Sequence, residues 1–263
     1  MTDKTPTKTS KTASVALVTG AADRIGAAIA RRLAAEGWQV VVHYRASADK
    51  AKAVVAAIKA AGGSAASVRA DLSKRAQRAS LIAAASKPFG PLTLLVNNAS
   101  LFEPDSVADL DEAVWDAHFA VHAEAPAFLA RDFAAQLPEG APGNIINIID
   151  TRVLALSPAF FSYTLSKSVL WTMTRTMAQS LAPRIRVNAI SPGPSIAPAY
   201  QPAGSRDKAW ARLPLKHAAD PDGIAEGVIA ILSLPSMTGQ MLTLDGGEHL
   251  EWPERRGPTA RRP

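Results

Sequence analysis

Short β-branched apolar runs alternate along this chain with stretches whose apolar residues recur at helical spacing. SVALVTG (14–20), WQVVVHY (38–44), SAASVRA (64–70), LTLLVNN (92–98), NIINII (144–149), IRVNAI (185–190) and MLTL (241–244) read as strands. Between the first two, Arg24 to Glu36 repeats apolar residues at Ile25, Ala28, Ile29 and Leu33 and stops at Gly37. Asp49 to Ala61 is an Ala-rich helix closed by Gly62-Gly63, and Ser73–Ala85, Asp111–Ala135, Tyr163–Leu181 and Asp222–Leu234 complete the helical set. The strands are continuously apolar rather than alternating in and out. That predicts a parallel sheet covered by helices on both faces. The expected fold is α/β, a single-domain, doubly wound Rossmann fold of about seven strands. The interval 191–219, with five prolines and little periodicity, is the exception. So long a loop reads as a lid over a site or as a disordered segment.

Composition narrows the picture. The 263 residues are 48% hydrophobic and 20% charged, enough to bury one full core. No apolar run approaches the ~18 residues of a membrane span, and the leader MTDKTPTKTSKT has no hydrophobic segment of a secretory signal. A cytoplasmic location is the expectation. The absence of cysteine excludes disulfides, thiol nucleophiles and thiolate metal sites. Of the net charge of +6, residues 1–14 carry +2 and residues 251–263 carry +2, which leaves +2 for 15–250. The basic excess reads as solvated ends, not a nucleic-acid surface. The boundaries expected are a disordered leader 1–13, one domain 14–250 and a tail 251–263.

The first strand-to-helix turn, Thr19-Gly20-Ala21-Ala22-Asp23-Arg24-Ile25-Gly26, has the small residues that let backbone N–H groups approach a pyrophosphate. Its place on the first βα turn favours dinucleotide binding over a turn packed for its own sake. An NAD site expects an acid at the end of the second strand. Here that strand ends His43-Tyr44-Arg45-Ala46-Ser47, with no carboxylate before Asp49. Arg45, Ser47 and Arg24 are placed to converge on a 2′-phosphate, which favours NADP(H).

Tyr163 and Lys167 stand at i and i+4 on one helix face, and an ammonium beside a phenol is expected to bring its pKa down. Together with the TGxxxxxG turn, Asn97-Asn98-Ala99 and Ser191-Pro192-Gly193, the pair resembles the short-chain dehydrogenase/reductase family over residues 14–250. Within it the chain is similar to pteridine reductases and dihydromonapterin-reductase-like proteins. Arg24 stands where most members have the middle glycine. Asn98-Ala99-Ser100-Leu101-Phe102 is similar to their NNASxF stretch. Asp150 occupies the place of the catalytic Ser, thirteen residues before Tyr163, and the closing Asp245-Gly246-Gly247-Glu248-His249-Leu250 fits the same subgroup.

The resemblance implies hydride transfer to a pterin or dihydropterin, with Tyr163 as proton donor, Lys167 lowering its pKa and gripping the nicotinamide ribose, and Asp150 assisting. Phe102 would stack on the ligand, Ser100 would hydrogen-bond it, and Arg24 would serve both cofactor and pterin. Gly20, Ile25, His43, Tyr44, Asp71, Leu72, Asn98, Ala99, Pro192, Gly193 and Ser195 are counted with the cofactor-binding residues. His122 aligns with the family's active-site Asn, which holds a water linking the lysine to solvent. A neutral imidazole can do similar work, or the relay is broken. A homotetramer is the family expectation, readable by light scattering, with His249–Trp252 reaching a neighbour. The five histidines show no metal spacing, and there is no HExxH, P-loop lysine or GxSxG motif. A ketone reductase and a non-catalytic NADP(H)-binding protein are the alternatives.

Overall fold

Seven strands lie side by side in the order β3-β2-β1-β4-β5-β6-β7, every neighbouring pair parallel. They are β1 (Val15–Val18), β2 (Gln39–Tyr44), β3 (Ser64–Arg69), β4 (Leu94–Asn97), β5 (Gly143–Ile148), β6 (Ile185–Pro192) and β7 (Met241–Leu244). The computed structural model describes residues 14–195 and 205–250, apart from the side chains of residues 205 and 206. The expectations for the leader, the tail and residues 196–204 lie outside the described residues.

Successive residues of a strand face opposite sides, and β1 feeds two cores in this way. Ala16 and Val18 enter a core with α1 (Arg24–Ala35), α2 (Ala48–Ala60) and α8 (Pro221–Ser233). Val15 and Leu17 enter the opposite one, with α3 (Arg75–Ser86), α5 (Ala125–Gln136) and α6 (Phe161–Leu181). Both faces are therefore covered, as continuously apolar strands require. The edges depart from this. Ala65 is the one buried residue of β3, and β7 is only half-buried throughout. An edge strand has fewer neighbours to bury it.

Two elements differ from the sequence expectation. The helix expected over Asp111–Ala135 is not continuous: α4 (Glu112–Phe119) passes through a π turn (Ala120–Glu124) into α5. Pro126 supplies a reason, because its ring clashes with the carbonyl four residues back in an α-helix, and a wider turn relieves the clash. The interval 191–219 is not all loop. β6 runs on to Pro192, and α7 (Ser205–Trp210) is pinned back by the Trp210 indole, which donates to the Pro194 carbonyl at 2.7 Å.

Candidate active site

Strand order reverses between β1 and β4, and a cavity of about 800 Å³ opens there at the carboxyl ends of the strands. The floor is the β1–α1 turn. Gly20 adopts φ +62°, and a Cβ on it would sit 2.9 Å from the Ala99 Cα. A Cβ on Gly26 would collide with the Gly20 carbonyl oxygen and the Asn98 amide. Only glycine lets these loops approach so closely. Thr19 Oγ1 accepts from the backbone N–H groups of Asn98 and Ala99, and the Asn98 amide donates to the Thr19 and Gly20 carbonyls. The N-terminus of α1, rich in unsatisfied N–H groups, is thus aimed into the cavity by a rigid frame.

His43 is part of that frame. Its Nδ1 accepts from the Gly20 N–H at 3.0 Å and its Nε2 donates to the Ala70 carbonyl at 3.0 Å, which joins the ends of β1, β2 and β3. Burial pushes its pKa down to about 4, so it serves as a neutral tautomer. Arg24, Ile25, Arg45, Asp71 and Leu72 line the same end. Tyr44 and Ser47 do not. The pleat turns Tyr44 away to pack against the α1/α2 core, and Ser47 sits at the N-cap of α2. Pro192, Gly193 and Ser195 form the opposite wall.

The Tyr163 hydroxyl donates to Asp150 Oδ2 at 3.0 Å. Lys167, fully buried, donates from Nζ to the Ile148 carbonyl at 2.9 Å and lies 5.8 Å from the Tyr163 ring centroid. The expected lowering of the phenol is overturned. Burial, followed by the Asp150 charge and its hydrogen bond, pushes the Tyr163 pKa well above 10. The burial that hems in the phenol also brings Lys167 down to about 8. Tyr163 is therefore a proton holder across the neutral range, beside an ammonium that stays charged below about pH 8.

His122 lies outside this cavity, 5.3 Å from the Tyr163 ring centroid in an edge-on contact. Its Nε2 accepts from the Leu101 N–H at 3.1 Å and faces the Ser100 hydroxyl at 3.0 Å, while Nδ1 meets Ser166 Oγ at 2.9 Å. His118 makes the matching rung: Nε2 accepts from the Glu103 N–H at 3.4 Å and Nδ1 meets Ser162 Oγ at 2.7 Å. The two rings stack at 5.6 Å and tie the 100–103 loop to α6. Burial holds both below the usual imidazole range, His122 furthest, with the Lys167 charge adding to it. Both His122 nitrogens are engaged by the protein, which makes the ring a brace between the 100–103 loop and α6. Buried Asp105 completes the tie by accepting from the Ser162 N–H at 3.2 Å at the start of α6.

Ser100, Phe102, Asp150 and Tyr163 meet in the cavity as expected, with three neighbours the sequence reading missed: Arg152, Phe160 and Glu248. Phe160 stacks on Phe102 at 4.3 Å from an uncommon left-handed backbone, φ +60°. Asp105 over-determines that strain, its carbonyl accepting from the Phe160 N–H at 2.8 Å. Glu248 accepts from Thr151 Oγ1 at 2.8 Å, and burial raises its pKa. Asp245 pairs with His249 at 2.7 Å. Among the described residues no cluster of His, Asp or Glu could hold a metal, and no helix is long and apolar enough to cross a membrane.

The family model described as Enoyl-(Acyl carrier protein) reductase matches residues 20–249. Pteridine reductase 1 of Leishmania tarentolae is 33% identical over 285 residues, covering 92% of this chain and 98% of that protein. An uncharacterized oxidoreductase of Methylorubrum extorquens is 38% identical over 242 residues, covering 89% of this chain and 96% of its own. The crystal structure of FolM alternative dihydrofolate reductase 1 from Brucella canis, complexed with NADP, superposes with a TM-score of 0.88 at 48% identity, covering 91% of this chain and 95% of that one. With the switch-point cavity and the Tyr163–Lys167 helix in place, the chain belongs to the short-chain dehydrogenase/reductase family, among members similar to the pteridine reductases.

Proposed function

We propose that this chain is an NADPH-dependent reductase of a pterin or dihydropterin. The relatives bound to NADP support the cofactor, and so do the residues that would receive it. The glycine-lined α1 N-terminus suits a pyrophosphate. Arg24 and Arg45 line the end of β2 where an NAD site would carry an acid, and they suit a 2′-phosphate. Pro192, Gly193, Ser195 and Lys167 would hold the nicotinamide half.

NADPH supplies a hydride. Reducing a C=N bond forms C–H with that hydride and N–H with a proton from Tyr163, whose O–H bond breaks. Asp150 fixes the phenol from one side, and buried Lys167 offsets the phenolate charge that the transfer leaves. The observation that carries the reading is Asp150 itself, a carboxylate 3.0 Å from the phenol where ketone reductases of the family keep a hydroxyl. The test is NADPH oxidation with dihydrobiopterin, dihydromonapterin and dihydrofolate beside a panel of ketones. Dihydropterins should be turned over, and Tyr163→Phe should keep NADPH binding while losing about 10²-fold or more in rate. Turnover of ketones alone would move the chain to the carbonyl reductases. No turnover at all, with NADPH still bound, would make it a binding protein.

A further inference from the structure

The 3₁₀ turn Thr151–Val153 after β5 swings Arg152 back over the substrate end of the cavity. Its guanidinium carbon lies 4.7 Å from the Phe160 ring centroid and 5.3 Å from that of Phe102. Its Nη1 is 3.7 Å from Asp150 Oδ1, the carboxylate that holds the Tyr163 hydroxyl. Its Nε is buried and has no hydrogen-bond partner among the described residues. The Nε–H is enclosed, so a bound molecule would meet the planar fork at its outer Nη groups, on a side chain that lines the cavity and is 31% exposed. Its charge opposes, as a lesser influence, the rise that burial and Asp150 impose on the Tyr163 pKa, so its first role is not the proton transfer.

The geometry points to Arg152 as the residue that selects the substrate, donating to an acceptor oxygen on a flat heteroaromatic ring lying against Phe102. The inference rests on the pterin-reductase reading and deepens it. The guanidinium combines a cation beside two aromatic faces with a planar set of donors, so it favours a planar, acceptor-bearing substrate over an aliphatic ketone. Two oxygens offer that chemistry: the carbonyl of the pyrimidine ring, and a carboxylate on a substituent.

Arg152→Met keeps an unbranched apolar stem and removes the donors, while Arg152→Lys restores the charge without the fork. Steady-state kinetics with dihydrobiopterin, which has the ring carbonyl and no carboxylate, and with dihydrofolate, which has both, separate the sources. The expected result for Arg152→Met is a KM raised about tenfold or more, with kcat reduced far less, NADPH affinity unchanged by fluorescence titration, and only partial rescue by Arg152→Lys. A rise with both substrates assigns the ring carbonyl, and a rise with dihydrofolate alone assigns the carboxylate. Unchanged KM for both in an enzyme that still turns them over overturns the role of Arg152 and leaves the reductase reading standing. Wild-type enzyme that turns over neither overturns that reading instead.

Discussion

Arg45 is the side chain expected to decide between the two cofactors. It comes just after the last residue of β2, on the cavity side of the pleat, near Asp71. The Ser73 hydroxyl chiefly, and the Arg45 charge to a lesser degree, hold the Asp71 carboxyl below its usual range. A nearby carboxylate therefore neutralises part of the guanidinium, yet the guanidinium stays exposed and able to take a dianion. A hydrogen-bonded charge of this kind is worth about 1.5–3 kcal/mol, or roughly ten- to a hundredfold in affinity. Arg45→Ala should weaken NADPH binding by about that factor and leave NADH binding nearly untouched, as read by fluorescence titration. Equal affinity of the wild-type protein for the two cofactors would remove the idea.

At the scale of elements, the decisive joint is between α6 and the stretch where α4 passes into the π turn. His118 and His122 are four apart, as are Ser162 and Ser166, so two helices present matched rungs and hold the 100–103 loop between them. His122→Asn shortens one rung and strands buried polar atoms, at a cost of about 1–3 kcal/mol. Loosening the loop that carries Ser100 and Phe102 should raise KM for the substrate more than it lowers kcat. A large fall in kcat at unchanged KM would instead restore the proton relay. The alternation of strands and helices, and Tyr163 and Lys167 on one helix face, were legible because periodicity and spacing are local, whereas Asp150 was legible only through the family resemblance. The break in the long helix was not, since AVHAEAP preserves the apolar period and only Pro126 hints at it. Phe160 and Arg152 escaped for another reason. The contacts that bend Phe160 come from Asp105, far back in the chain, and no local pattern encodes them. The side-chain direction of Tyr44 was legible, since the period of two along β2 already places it on the face opposite His43 and Arg45.

At the scale of the whole molecule, three buried imidazoles tie separate parts of the fold together. His43 joins three strands at the mouth of the sheet, and His118 and His122 join a loop to α6, each no more than 2% exposed. A protonated His43 has N–H on both nitrogens and can no longer accept from the Gly20 N–H, so acid opposes the very bond that shapes the β1–α1 turn. Its folded pKa, about 4, lies below the ordinary 6.5 of an exposed imidazole, so on acidification the unfolded chain takes up the proton first. Its contribution is complete above about pH 6.5 and is lost as the pH falls toward about 4. The shift corresponds to about 3 kcal/mol for His43 alone, a sizeable share of the ~5–15 kcal/mol that stabilises a typical domain. His118 and His122 are also held below the ordinary value and act in the same direction. Urea unfolding at a series of pH values should show stability falling between pH 6.5 and 4. His43→Gln, which has no proton to gain there, should start lower at pH 7 but fall with a shallower slope. Parallel slopes for the two proteins would mean that His43 already takes up its proton in the folded state, and that the strand ends are held together by something other than a neutral ring.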